Sequence, residues 1–222
     1  MDHRKHWTTQ QDQLRKALSS RTRFEEAIAL FQSQHAAVHT AEISGAANWS
    51  LHDEVLQGLT ETQIKAVPRP GQNSIAWLLW HITRIEDMTI NTLMLDQAQV
   101  WTHEWAGKLV FPLSDCGAGM EAQDVADFSA QISVRALLDY RAAVGRRTRE
   151  TLPRLNADLA KEIVPTSRVQ SLVDEGAISS RANWLFEFYT KRPRGFFLTR
   201  TATSHNFIHL KEAGRVAKKL AG

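Results

Sequence analysis

The segment IAWLLWHITRIEDMTINTLML, residues 75 to 95, most constrains what this chain can fold into. It has no Gly or Pro, its apolar residues recur at helical intervals, and Asn73 or Ser74 stands ready to cap its start. At about 100° per residue, Trp77, Leu78, Ile85 and Met88 fall within about 60° of His81. His81 therefore sits in the middle of an apolar stripe, with Arg84 at its edge. Such a stripe must be covered by other elements of the fold.

The rest of the chain supplies helices to cover it. Leu14, Leu18, Phe24, Ile28, Phe31 and Val38 predict one long helix over about residues 8 to 40, broken near Gly45 to Asn48. Ser50 reads as the N-cap of LHDEVLQGL, with Asp53 at the third helical position. VPRPG, residues 67 to 71, is a loop. Residues 133 to 155 predict another long helix, with Val134, Leu137, Leu138, Val144 and Leu152 inward. The turn KRPRG leads into a last helix over about 196 to 220. Residues 97 to 131 form a long connection with Pro112, Gly117 and Gly119, and a short helix over 121 to 130. A second connection holds Pro165, Gly176 and a short helix in NWLFEFY, 183 to 189. There is no strand alternation and no repeat. The expectation is an all-α chain, a four-helix bundle with extra short helices.

Charge narrows the function classes. Lysine and arginine number 27 against 24 acidic residues, a formal charge of +3. The basic residues are scattered among acids, so no nucleic-acid partner is expected. RAAVGRRTRETLPR, 141 to 154, reads as the solvated face of a helix. No apolar run is long enough to span a bilayer, and MDHRKHWTTQQDQLRKAL lacks the apolar core of a signal peptide. No membrane partner and a cytoplasmic location are expected. The single cysteine, Cys116, excludes an intramolecular disulfide and lies in a Gly-rich loop without a motif.

Histidines are the chain's most informative polar residues. In SHNFIHLKEAGRVAKKL, 204 to 220, His205 and His209 stand one turn apart, on the face that carries Leu198, Ala202, Glu212, Val216 and Leu220. Residues four apart on a helix can reach one ion, and a third imidazole from a facing helix would complete a site with an open position. His35 and His39, in HAAVH, have the same spacing and an apolar face of their own, and His52 is a further candidate. Spacing leaves both pairs open. HNFIH is not HExxH, because Asn206 stands where a zinc protease needs its glutamate. Glu212 is placed either to accept an imidazole N–H or to pair with Arg215 or Lys219.

GLTETQIKAVPRPGQNSIAWLLWHITRIED, followed by a distant C-terminal SHNFIHLKEA, resembles the DinB-like superfamily of metal-binding bundles. The resemblance runs from about residue 22 onward, so residues 1–21 are expected to be a helical extension of a 22–222 domain. It implies a long crossover between the second and third long helices. It also implies that His81, His205 and His209 are three metal ligands, holding zinc or nickel. The better-understood relatives are bacillithiol S-transferases and the mycothiol-dependent maleylpyruvate isomerase, and homodimers are common among them. A small-molecule substrate is implied. Lys191, Arg192 and Arg194 of KRPRG are candidates to meet the carboxylates of a low-molecular-weight thiol cosubstrate. Trp184 and Tyr189 are candidates to wall its pocket. A surface turn with aromatics packed in the core is the simpler account of each of these five residues.

Three functions are consistent with these residues. The first is a metal-dependent transferase that uses such a thiol in detoxification or stress response. The second is a metal-dependent hydrolase or isomerase, for which Glu86 and Asp87 are the carboxylates nearest in sequence to His81, although both project away from it. The third is a non-catalytic protein that binds a metal or small ligand.

Overall fold

The computed structural model describes residues 3–45, 49–111 and 113–220. The predicted long first helix is two. Helix α1 spans His3–Leu18, a 3-10 turn covers Arg21–Arg23, and α2 spans Phe24–Ala36. Ser20 adopts an extended backbone and sends the chain back, so that α2 lies along α1. Leu14 and Ala17 of α1 then share one core with Phe24, Ala27 and Phe31 of α2. The apolar period happens to run on through the turn, and so the break is invisible to periodicity alone. Gly45 follows a 3-10 turn over Ala41–Ser44 and takes a left-handed conformation. The remainder of the predicted break, residues 46 to 48, lies outside the described residues, as does Pro112.

Helix α3, Leu51–Leu56, starts as expected, with the Asp53 N–H donating to Ser50 Oγ at 3.1 Å. Helix α4, Glu61–Lys65, has a full capping box between Thr60 and Gln63. Helix α5 spans Ile75–Asp87, and Ser74 is its N-cap, accepting from the Trp77 N–H at 2.9 Å. Every residue of α5 is buried, including Arg84, Glu86 and Asp87. The stripe read from sequence is thus only the apolar part of a helix enclosed on all sides. Its polar residues sit inside the protein and need partners there.

After α5 the chain continues through a π-helical segment, Met88–Met94. The crossover carries α6, His103–Leu109, which periodicity did not reveal, and α7, Ala122–Gln131, as predicted. Helix α8 spans Val134–Thr151, capped by Ser133. The second connection holds α9, Ala157–Lys161, α10, Thr166–Asp174, and α11, Trp184–Tyr189. The last helical stretch begins with α12, Phe196–Thr199. It passes through a second π segment, Arg200–Ser204, and ends as α13, His205–Leu220. Helix α5 packs against α8 and α13, and α13 against α3. The fold is all-α, with no named strand among the described residues, as periodicity predicts.

The two π segments touch where the Thr89 and Thr201 hydroxyls lie 2.7 Å apart. A π turn inside a helix re-aims the side chains beside it and is often found at functional sites. Here one follows the helix of His81 and the other immediately precedes His205.

Candidate metal centre

Two groups of side chains have the composition and closeness to hold an ion. The candidate ligand atoms of His81, His205 and His209 lie within 4.8 Å of one another, and so do those of His35, His39 and Glu86.

The first group joins α5 to α13. The ring centroids are 5.0 Å apart for His81–His205, 5.2 Å for His81–His209 and 4.6 Å for His205–His209. His81 is fixed from two sides. The Trp77 ring stacks on it at 4.9 Å, nearly parallel, and its Nδ1 lies 2.7 Å from the Cys116 carbonyl oxygen. A carbonyl only accepts, so His81 Nδ1 carries the proton and Nε2 keeps its lone pair. His209 Nδ1 lies 3.0 Å from Glu212 Oε2, which directs its Nε2 in the same way. Asn73 Nδ2 donates to the other Glu212 oxygen at 3.4 Å. His205 Nδ1 is buried without a partner. Burial is the main cause that pushes His81 down to about 4 and His205 well below the ordinary histidine value, with the neighbouring imidazoles adding to it. Both rings are neutral near pH 7, the form that ligates a metal. His81 is buried, while His205 and His209 are only partly so. Two oriented nitrogens and a third imidazole beside them, with two of the three rings partly exposed, together fit a three-histidine site.

The second group joins α2 and the turn after it to α5. Helix α2 ends at Ala36, so His39 stands just beyond the helix, with its N–H still donating to the His35 carbonyl at 3.2 Å. Both histidines aim Nε2 at Glu86, one on each carboxylate oxygen, at 2.9 Å. Thr148 Oγ1 donates to Oε1 at 2.8 Å and Asn206 Nδ2 to Oε2 at 3.1 Å. All four acceptor positions of Glu86 are filled. The three residues of this group are fully buried. Burial pushes His39 down to about 3. Burial by itself would raise Glu86, but the two imidazoles beside it hold it well below the usual carboxylate range. The Arg141 guanidinium, also buried, balances its charge. Space for His39 comes from Gly145, in the middle of α8. A Cβ there would stand 2.6 Å from His39 Nδ1 and 2.5 Å from Ile43 Cδ1. His35 Nδ1 and His39 Nδ1 have no partner. If Nε2 ligated a metal, each Nδ1 would carry a buried proton with no acceptor. As donors to Glu86 the rings leave only lone pairs unsatisfied, which costs less.

The DinB superfamily model matches residues 45–212, most of the chain. The chain belongs to the DinB superfamily. No curated protein matches it. The stretch that makes this a DinB-superfamily chain contains His81, His205 and His209 and leaves out His35 and His39.

The other residues singled out from sequence go elsewhere. Asp87 is buried, accepting from Arg84, Tyr140, Asn91 and the N–H groups of Val100 and Trp101. It anchors the start of the crossover and is not near a reacting position. His52 Nδ1 lies 3.0 Å from Asp53 Oδ1. Arg194 donates to the Met94 carbonyl at 2.8 Å and pairs with Glu162 at 2.9 Å. Arg192 lies over Phe188 and Phe196. Tyr189 is core, and Trp184 is 60% exposed. The KRPRG turn is thus structural at both arginines. The Cys116 thiol is buried and pushed up to about 11 by that burial. Its part in the site comes from its backbone carbonyl, which no sequence signal could mark. Nothing in the sequence marks Arg141 or Thr148 either, and for Asn206 the one hint is its unusual place in HNFIH.

Proposed function

We propose that this chain is a metal-dependent transferase that uses a low-molecular-weight thiol in detoxification or stress chemistry. His81, His205 and His209 would hold a divalent ion, zinc or nickel. Such an ion supplies Lewis acidity, which favours a thiolate over a thiol or polarises a carbonyl. Glu212 keeps the His209 ring in the ligating tautomer, and the Cys116 carbonyl does the same for His81. A small-molecule substrate, a homodimer and a cytoplasmic location belong to the same proposal. Among the described residues, no helix is long and apolar enough to cross a membrane.

The observation that carries this reading is the convergence of three imidazoles, two of them tautomerically oriented and two of them partly exposed. What favours a thiol over hydrolysis is the state of the carboxylates that could serve as a base. A hydrolase or isomerase gains from a base beside the ion. Glu86 and Asp87 are buried and already accept several hydrogen bonds each, and Glu212 is held by His209 and Asn73. A thiol nucleophile from outside needs no such base, and the buried Cys116 cannot serve in its place. The test has two steps. Elemental mass spectrometry of untagged protein should find about one zinc or nickel per chain. The loaded protein should then consume an electrophile such as an epoxide only when a thiol, bacillithiol or mycothiol among those tried, is present. Turnover that ignores thiol would move the assignment to hydrolysis or isomerisation. Bound metal without turnover would leave a binding protein.

A further inference from the structure

Asn206 replaces the glutamate that a zinc protease would place inside its HxxxH pair, and the structure shows what an amide does there. It is fully buried, about 60° around α13 from His209 and about 100° from His205. Arg141 Nη2 donates to its Oδ1 at 2.9 Å. Its Nδ2 donates to Glu86 Oε2 at 3.1 Å and to the Thr201 carbonyl, in the π segment, at 2.9 Å. A guanidinium can only donate and a carboxylate can only accept, so these neighbours fix the amide's orientation. The position demands one donor and one acceptor on the same short side chain. Glutamate or aspartate there would set a second carboxylate against Glu86.

Asn206 is thereby joined to the long elements around the site. Glu86 belongs to α5, the helix of His81. Through Glu86 the amide reaches His35 of α2, His39 beyond it and Thr148 of α8. Arg141 of α8 also donates to Thr83 Oγ1 of α5 and to the Val38 carbonyl. Helix α13 is thus pinned at its first turn, where the helix geometry changes from π to α and where a small rotation would swing both ligand histidines. Apolar packing alone resists such a rotation weakly, since neighbouring rotations bury similar area. Directional bonds to two charged, buried partners resist it strongly.

We propose that Asn206, held between Glu86 and Arg141, is a positioning residue that sets the rotation of the first turn of α13 and so aims His205 and His209 at His81. This rests on the metal-site reading above. It also gives Glu86 a role beyond its own cluster: it is the acceptor that holds the Asn206 amide, and its grouping with His35 and His39 is a hydrogen-bonded cluster and not a second ion site.

The test compares two variants in full-length protein, each read by zinc affinity against a competing chelator, by the visible absorption of the cobalt(II)-loaded form and by thermal stability. Asn206→Leu keeps the side chain's size and removes the amide. Its zinc affinity should fall about 10–100-fold, as expected when a group that orients metal ligands is lost, and its cobalt bands should move. Thr148→Val removes a different donor from Glu86 and does not touch Asn206. It should lower the melting temperature while leaving affinity within about twofold of the parent and the cobalt spectrum unchanged, because the ligand shell is intact. If Asn206→Leu does not fold, Asn206→Ser is read in its place by the same criteria. Parent-like affinity and spectrum in the Asn206 variant would overturn the positioning role and leave the metal site standing. Equal losses of affinity in both variants would overturn it too, since affinity would then follow stability alone. No zinc bound by the parent would defeat both readings.

Discussion

The two histidine clusters of this protein start from the same sequence pattern and end as different chemistry. Each has a pair of histidines four residues apart and a third group from α5. At His81, His205 and His209 the three groups are all imidazoles, the second nitrogens of two are held by acceptors, and two of the rings are partly open. At His35, His39 and Glu86 the third group is a carboxylate, the imidazoles are its donors, and nothing is open. What separates a candidate metal site from a buried hydrogen-bond cluster is therefore what the far side of each ring touches. An acceptor on Nδ1 leaves Nε2 ready for an ion. A carboxylate at Nε2 uses up that nitrogen.

The largest effect that can break this contrast is in metal stoichiometry. His81→Ala and His209→Ala should each take the protein from about one ion per chain to none, while His35→Ala should keep its ion, measured by elemental mass spectrometry. Retained metal in the first two and loss in the third would reverse the assignment of the clusters.

Next in size is stability at the internal cluster. Glu86→Ala leaves the buried Arg141 without its balancing charge and strips two imidazoles of their acceptor. A loss of about 3–5 kcal/mol is expected, as for other buried charges left unpaired, measured by urea unfolding of metal-free protein. A loss below about 1 kcal/mol, typical of exposed ion pairs, would mean that the cluster does not hold the helices together.

Acid should act on the same cluster. His39 is pushed to about 3 in the folded state, and Glu86 also lies below its ordinary value. For both groups the unfolded chain binds the proton more readily, so stability falls as pH falls. For His39 the contribution is complete above the unfolded value, about 6.5, and drains away toward about 3. The melting temperature of metal-free protein should drop between pH 7 and pH 4, and His39→Gln should flatten that slope. An unchanged slope in the variant would show that His39 stays neutral for no energetic reason of its own.

The smallest effect concerns Gly145. Alanine in mid-helix usually helps by about 1 kcal/mol, yet its Cβ would stand 2.6 Å from His39 Nδ1. Overpacking of that kind costs about 1–3 kcal/mol, so Gly145→Ala should be mildly destabilising in calorimetry. A stabilised variant would show that His39 can move aside at no cost.

Much of the fold and part of the site are legible in the sequence. The periodicity around His81, the capping serines at 50 and 74, and α7 agree with the structure within a residue or two, because caps and helical period are local. The split of the first long helix is not legible, since Ser19 and Ser20 end α1 without interrupting the apolar spacing. Helix α6 hides within a connection that reads as irregular. Helical spacing turns Glu86 away from His81, but its four donors come from three other parts of the chain. KRPRG resembles a ligand-binding turn because charge and aromatics are visible in sequence, whereas the Met94 carbonyl and Glu162 that occupy Arg194 are distant.

The helices and the two pairs of histidines follow from the sequence alone, because helix formation and i,i+4 proximity depend on neighbours along the chain. Neighbours along the chain cannot rank the pairs. Tertiary contacts place a backbone carbonyl of Cys116 behind His81, a carboxylate in front of His35 and His39, and Asn206 between Glu86 and Arg141. An imidazole's chemistry depends on which nitrogen keeps its lone pair, and that is decided by partners brought in from far away in the sequence.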